Sequence, residues 1–164
     1  MSYYGGRMTR QTLGKVFISS AIVLSAVVST GIDLSHGDTA HVHNPAWHPH
    51  AIFHDIVMFL LLDFMGLVCL WLLWRKSSEP DVGVRVAALL MVGFWSPFYY
   101  VTTLVPTASL AATPENVSNG AILVSWAPVP FYINVLVGTF LLAITALGYF
   151  LYRRGQRKSL VGLH

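Results

Sequence analysis

Four apolar runs, each long enough to cross a lipid bilayer, constrain this chain more than any other feature. A helix needs about 20 apolar residues to cross the ~30 Å hydrocarbon core, and lipid requires each crossing segment to satisfy its own backbone hydrogen bonds. The sequence therefore predicts an all-α fold, a four-transmembrane-helix bundle in a single membrane domain (1–164). The predicted helices cover about 14–33, 50–74, 84–105 and 130–152.

The composition excludes most classes of soluble protein. Hydrophobic residues make up 55% of the chain and charged residues only 10%, whereas roughly a quarter of the residues in a soluble domain are charged. Too little polar surface remains to cover a water-soluble enzyme or a disordered tail. The formal net charge of +3 does not indicate nucleic-acid binding, because the basic residues are distributed as membrane topology requires.

The ten Lys and Arg residues predict the orientation of the bundle. With four crossings they all fall on one face, and the two loops of the opposite face, about 33–50 and 106–128, contain none. Basic residues are enriched on the cytoplasmic side of membrane proteins. Both termini are therefore predicted to be cytoplasmic, and the loop at 33–50, which we call the histidine-rich loop, to be extracytoplasmic.

A cleavable signal peptide is the alternative interpretation of the first run, which follows a basic N-terminal segment. Its removal would leave three crossings and would place the basic C-terminus opposite the basic segment at 75–85. We therefore expect the first run to be a retained helix.

Histidines cluster in and just after the histidine-rich loop. Six of the seven lie between His36 and His54, and imidazole is the commonest transition-metal ligand. Pro49 is suited to the first turn of a helix, so we expect the second helix to begin at His48 or Pro49. Two other interpretations remain open: a hydrated polar loop, and a cluster that gains charge near pH 6.

The spacing of the histidines allows several of them to meet around one ion. His50 and His54 stand one helical turn apart on the same face, and His41 and His43 would point to one side of an extended segment. Asp33 could add an oxygen ligand, and Asp55, directly after His54, could orient a ring or move a proton. The predicted cofactor is a transition-metal ion, with zinc, iron and copper all compatible with nitrogen and oxygen ligands.

One carboxylate and one aromatic segment inside the apolar runs are further candidates. Asp63 lies near the middle of the second predicted helix, where ionisable groups are costly and usually face the bundle interior or a proton route. A kink at Pro97 in the third helix would open a pocket for a lipophilic molecule. Its predicted wall is aromatic and consists of Trp95, Tyr99, Tyr100 and, from the outer loop, Trp47. The simpler interpretations are a neutral or hydrogen-bonded Asp63 and aromatic side chains that only pack.

The string Asn44-Pro45-x-Trp47-x-Pro49-His50-x-x-Phe53-His54, with His41 three residues before it, resembles a family of small four-helix membrane proteins of fungi and bacteria. The resemblance covers about fourteen residues and the hydropathy layout. It implies that His41, His50 and His54 are better ligand candidates than His43. It implies no reaction, because the function of that family is not established.

Three functions are compatible with these features. The first is a metal-dependent membrane enzyme that oxidises, isomerises or cyclises a lipophilic small molecule, with Asp55 or Asp63 moving protons. The second is a non-catalytic accessory or metal-handling subunit of a larger membrane complex; assembly into a homo-oligomer is also open. The third is a proton or metal-ion carrier with Asp63 as its relay. All three have the lipid bilayer as a partner, and none involves nucleic acid.

Overall fold

Four long helices form the fold of the computed structural model, which describes residues 8–35, 42–105, 110, 121–122 and 131–161. Within these ranges, four helices are long and apolar enough to cross a membrane: Arg10–Gly31, Pro49–Trp74, Pro80–Tyr99 and Asn134–Arg157. The prediction of an all-α four-helix bundle is confirmed. The apolar helices suggest a lipid bilayer as the environment of this multi-pass protein.

The helical elements are named in chain order. Helix α1 covers Arg10–Ala26 and continues as a π-helical turn at Val27–Gly31. Helix α2 covers Pro49–Trp74 and helix α3 covers Pro80–Trp95. A 3₁₀ turn at Ser96–Tyr99 and the short helix α4, Val101–Leu104, follow α3, and helix α5 covers Ile133–Val161. The two-residue strands β1, Ala121–Ile122, and β2, Phe131–Tyr132, pair antiparallel.

Proline and side-chain caps determine where the helices begin. The Thr9 hydroxyl accepts a hydrogen bond from the backbone N–H of Thr12 at 3.1 Å and caps α1. Pro49 and Pro80 occupy the first positions of α2 and α3, where their missing N–H would have no partner in any case. The predicted start of the second helix at His48 or Pro49 agrees with the structure, in which His48 is the N-cap.

The third membrane segment differs from the prediction of one kinked helix over 84–105. It begins earlier, at Pro80, and its regular α-helical part ends at Trp95, before Pro97. Proline has no N–H to donate, and its ring clashes with the carbonyl four residues earlier. The chain accommodates Pro97 by tightening into the 3₁₀ turn, so the segment changes helix type at Pro97 and does not continue as one kinked α-helix.

Helix α1 packs most extensively against α5, at the other end of the sequence, while α2 packs against α3 and α3 also contacts α5. Glycine permits the closest approach: a Cβ built on Gly14 would lie 2.5 Å from the Gly148 carbonyl oxygen and 2.7 Å from the Tyr152 backbone nitrogen. Small residues allow helix backbones to meet in membranes, where dispersion contacts rather than the hydrophobic effect hold helices together.

The end of the bundle where α1 and α3 begin and α2 and α5 end is rich in basic residues, and we call it the basic end. Asp81 of α3 accepts hydrogen bonds there from the Tyr152 hydroxyl at 3.0 Å and from Arg153 at 3.4 Å, both on α5. Trp74 of α2 donates its indole N–H to the Ser19 hydroxyl of α1 at 2.9 Å. These contacts join α3 to α5 and α2 to α1 at the end of the bundle opposite the histidines.

Candidate metal centre

His50 and His54 form a close pair on the first turns of α2, at the end of the bundle opposite the basic end. Their Nε2 atoms are 3.0 Å apart, and their ring planes meet nearly at right angles, at 84°. Both side chains are exposed. The Phe53 ring stacks at 6.2 Å from the His50 ring and meets the His54 ring edge-on at 5.4 Å, which gives the pair an apolar neighbour.

The local sequence orients this pair through a turn and a helix cap. The side-chain oxygen of Asn44, which is buried, accepts a hydrogen bond from the Ala46 N–H at 2.9 Å, and the Asn44 carbonyl accepts one from the Trp47 N–H at 3.1 Å. His48 then caps α2, with its Nδ1 accepting from the His50 N–H at 3.2 Å. The sequence alone did not indicate that Asn44 would be buried and would shape the approach to α2.

The geometry of the pair is close to that of two ligands of one ion. Two nitrogens at about 2.0–2.1 Å from a tetrahedral zinc ion are roughly 3.3 Å apart, only slightly more than the 3.0 Å observed. Without an ion, one ring donates its Nε2 proton to the lone pair of the other. On metal binding the separation of the two nitrogens would therefore change by only a few tenths of an ångström, and the rings would turn so that both lone pairs point at the ion.

The other predicted ligands lie elsewhere or outside the described residues. The His43 ring nitrogen is 3.4 Å from the Leu34 carbonyl oxygen at the end of the first membrane helix, and Asp33 is half-buried beside that end. Asp55 follows the pair and is half-buried. His41 lies outside the described residues. Within the described residues, no group of three or more His, Cys, Asp or Glu side chains is placed to hold a metal ion. Of the predicted ligands, the structure brings together His50 and His54.

Asp63 lies farther along α2, about 13 Å from His54 at 1.5 Å per residue. It lines a cavity of about 260 Å³ between α1, α2 and α3. Its Oδ1 atom is buried and has no hydrogen-bond partner among the described residues. The carboxylate thus belongs to the bundle interior, as its sequence position predicts, and lies apart from the histidine pair.

The four aromatic residues predicted to form a pocket do not line this cavity. Trp95 is 2% exposed and donates its indole N–H to the Ser25 hydroxyl at 2.9 Å. Tyr99 shares a 2.6 Å hydrogen bond with the Thr139 hydroxyl of α5, and Tyr100 is exposed. Trp47 is half-buried in the turn before α2. Ser25, which does line the cavity, had no distinguishing signal in the sequence.

Comparison of the chain with models of protein families, with curated proteins and with solved structures gives no match. What the protein does must therefore be inferred from the chemistry of its own residues.

Proposed function

We propose that this protein binds a transition-metal ion at the histidine end of a four-helix membrane bundle. The observation that carries the proposal is the 3.0 Å separation of the His50 and His54 Nε2 atoms. Imidazole nitrogens suit zinc, copper and iron. Additional ligands would come from the histidine-rich loop, for which the sequence resemblance favours His41.

The surroundings of the pair support a role as an accessible reaction centre. His50 and His54 are exposed, and so is the neighbouring Phe53 ring, so an apolar molecule arriving along the bilayer surface could reach an ion held there. The loop at 33–50 contains no Lys or Arg that would attract an anionic substrate.

The chemistry that follows is that of a metal-dependent membrane enzyme acting on a lipophilic small molecule. A bound ion polarises an oxygen or a double bond of the substrate as a Lewis acid, which favours isomerisation or cyclisation. Asp55, next to His54 in the chain, would exchange the proton. Asp63 is too far from the pair to contact the same reacting atoms.

The orientation that we propose places both termini in the cytoplasm and the histidine pair on the extracytoplasmic side. The clustering of Lys and Arg at the basic end supports this orientation, as does their absence from the two opposite loops. Basic residues near membrane helices are retained on the cytoplasmic side.

Metal binding is tested on the purified protein in detergent by titration with Zn²⁺ and with Co²⁺, followed by elemental analysis after dialysis. We expect about one equivalent in the wild type and at least roughly tenfold weaker binding in His50→Ala and in His54→Ala, because each removes one of few ligands. The matched control is His48→Asn, which removes an imidazole but keeps a residue that caps helices well; it should bind the ion as the wild type does.

Two results would contradict the proposal. One is less than about 0.2 equivalents of metal in the wild type, below the stoichiometry of any specific site. The other is equal affinity in wild type, His50→Ala and His54→Ala. The enzymatic part is tested by incubating metal-loaded protein with a membrane lipid extract and comparing products by mass spectrometry; a product formed equally by His50→Ala would exclude the pair from catalysis.

A further inference from the structure

The cavity between α1, α2 and α3 is apolar except for two side chains. Aliphatic residues from all three helices form most of its wall, and its polar members are Asp63 and Ser25. No Lys, Arg or His lines it in the part of the chain that the structure describes. The cavity therefore combines an apolar wall with one acidic group near the middle of the Pro49–Trp74 membrane segment.

Among the described residues, no cationic side chain lines the cavity beside the Asp63 carboxyl group. Its Oδ1 atom is buried without a hydrogen-bond partner among the described residues, and Ser25, the other polar side chain of the described wall, carries no charge. A charged carboxylate at this depth is costly unless it pairs with a cation or takes up a proton. The described cavity wall supplies no cationic side chain for such a pair.

The cavity has an apolar opening on the outside of the bundle. Val23 and Val27 of the first membrane helix and Leu67 of α2 line it, and these side chains are 49%, 56% and 65% exposed. In a bilayer this outer surface faces lipid, so a molecule that partitions into the membrane can enter sideways without crossing a polar region.

We propose that this cavity binds a lipophilic amine in its protonated form, with the ammonium group at Asp63 and the apolar body against the aliphatic wall. An ammonium donates hydrogen bonds and carries the opposite charge. A cavity of about 150 Å³ holds benzene, so the 260 Å³ here holds a body of roughly ten carbon atoms. The site is about 13 Å along α2 from the histidine pair and does not depend on a metal ion.

The test compares two probes that share one apolar cage and differ in charge, 1-adamantylamine and 1-adamantanol. Binding is measured by calorimetry on the full chain in phosphatidylcholine nanodiscs, with empty nanodiscs subtracted to correct for partitioning into lipid. We expect the amine to bind the wild type at least about tenfold more tightly than the alcohol. Asp63→Asn should lose at least roughly tenfold in amine affinity and leave the alcohol unchanged.

Control variants test separately the charge of Asp63, the volume of the cavity and the role of the histidine pair. Asp55→Asn removes a carboxylate of α2 that does not line the cavity, and His50→Ala disrupts the histidine pair; both should bind the amine as the wild type does. Ala26→Leu narrows the cavity and should weaken both probes together. If Asp63→Asn does not fold, comparing the two probes on the wild type and on Ala26→Leu still tests whether the amine binds in this cavity.

Three outcomes would overturn the inference. Equal affinity of amine and alcohol for the wild type would mean that the carboxyl group is protonated or unused. Unchanged amine binding in Asp63→Asn, or unchanged binding of both probes in Ala26→Leu, would place the probe elsewhere. Loss of amine binding only in His50→Ala would place it at the histidine pair.

Discussion

Trp95 and Ser25 form a buried hydrogen bond between α3 and α1, with donor and acceptor 2.9 Å apart and both side chains at most 2% exposed. Trp74 and Ser19 form the same type of bond at the same length at the basic end, where Trp74 is exposed. The two pairs differ mainly in burial. They therefore provide a matched comparison of what burial adds to a hydrogen bond in this bundle.

We predict that Ser25→Ala destabilises the protein by about 1–2 kcal/mol, because it leaves the buried indole N–H of Trp95 without an acceptor. Ser19→Ala should cost less than about 0.5 kcal/mol, since water or lipid headgroups can replace the lost acceptor of Trp74. The free energy of unfolding in mixed detergent measures both. Equal effects of the two substitutions would contradict the prediction.

The residues of the candidate sites could be predicted only in part from the sequence. Helical periodicity places His50 next to His54, and the extent of the apolar run places Asp63 near the middle of a membrane helix. It does not show that Trp95 would turn inward to meet Ser25, because that contact joins residues 70 positions apart. The predicted aromatic pocket relied on Trp95 being available to a ligand, whereas its ring packs in the core and its N–H is already bonded.

At the scale of helices, the contact between α1 and α5 depends on glycine. A Cβ on Gly14 would meet the backbone of Gly148 and Tyr152, and a Cβ on Gly148 would lie 2.8 Å from the Gly14 carbonyl oxygen. Backbone atoms on the facing helix cannot move aside as the end of a flexible side chain can. Gly93 of α3 is different, because a Cβ there would meet nothing within 4 Å.

We predict that Gly14→Ala lowers the free energy of unfolding by about 1–3 kcal/mol through forced separation of α1 and α5. Gly93→Ala should leave stability unchanged or raise it by up to about 1 kcal/mol, because alanine favours helix more than glycine does. Thermal unfolding in detergent, followed by circular dichroism, compares the two. A neutral Gly14→Ala would mean that the two helices are not in backbone contact.

Hydropathy identified the helices but not their neighbours. Apolar length predicted four membrane segments, and the loop at 75–79 between α2 and α3 makes them adjacent because it is short. The pairing of α1 with α5 has no comparable signal in the sequence, since a glycine in a membrane helix can pack against another helix or can face lipid. The end of α3 at Trp95 was also missed, because a proline in a membrane segment can either kink the helix or change its type.

At the scale of the whole molecule, the two ends of the bundle differ in chemistry. The basic end contains Asp81 and its partners on α5, and the other end contains the histidine pair. This polarity was predictable from the sequence, because the Lys and Arg residues alternate with the apolar runs in the order that four crossings require.

We predict that an impermeant maleimide labels Ala46→Cys on intact cells and labels Ser78→Cys only after the cells are permeabilised. Both positions are exposed, at opposite ends of the bundle. The native Cys69 is buried and is replaced by Cys69→Ala in both variants to remove background. Labelling of Ser78→Cys on intact cells would reverse the proposed orientation.

The pairing of α1 with α5 has a consequence for biogenesis. The chain order places α2 and α3 between α1 and α5, so α1 enters the membrane before the helix with which it packs most extensively has been made. The hairpin of α2 and α3 can form as soon as both helices have been inserted. The surface of α1 around Gly14, which packs against α5, is until then exposed to lipid or to an insertion factor. Completion of the four-helix bundle therefore follows the insertion of α5, and a chain truncated before α5 would leave the packing surface of α1 without its main partner.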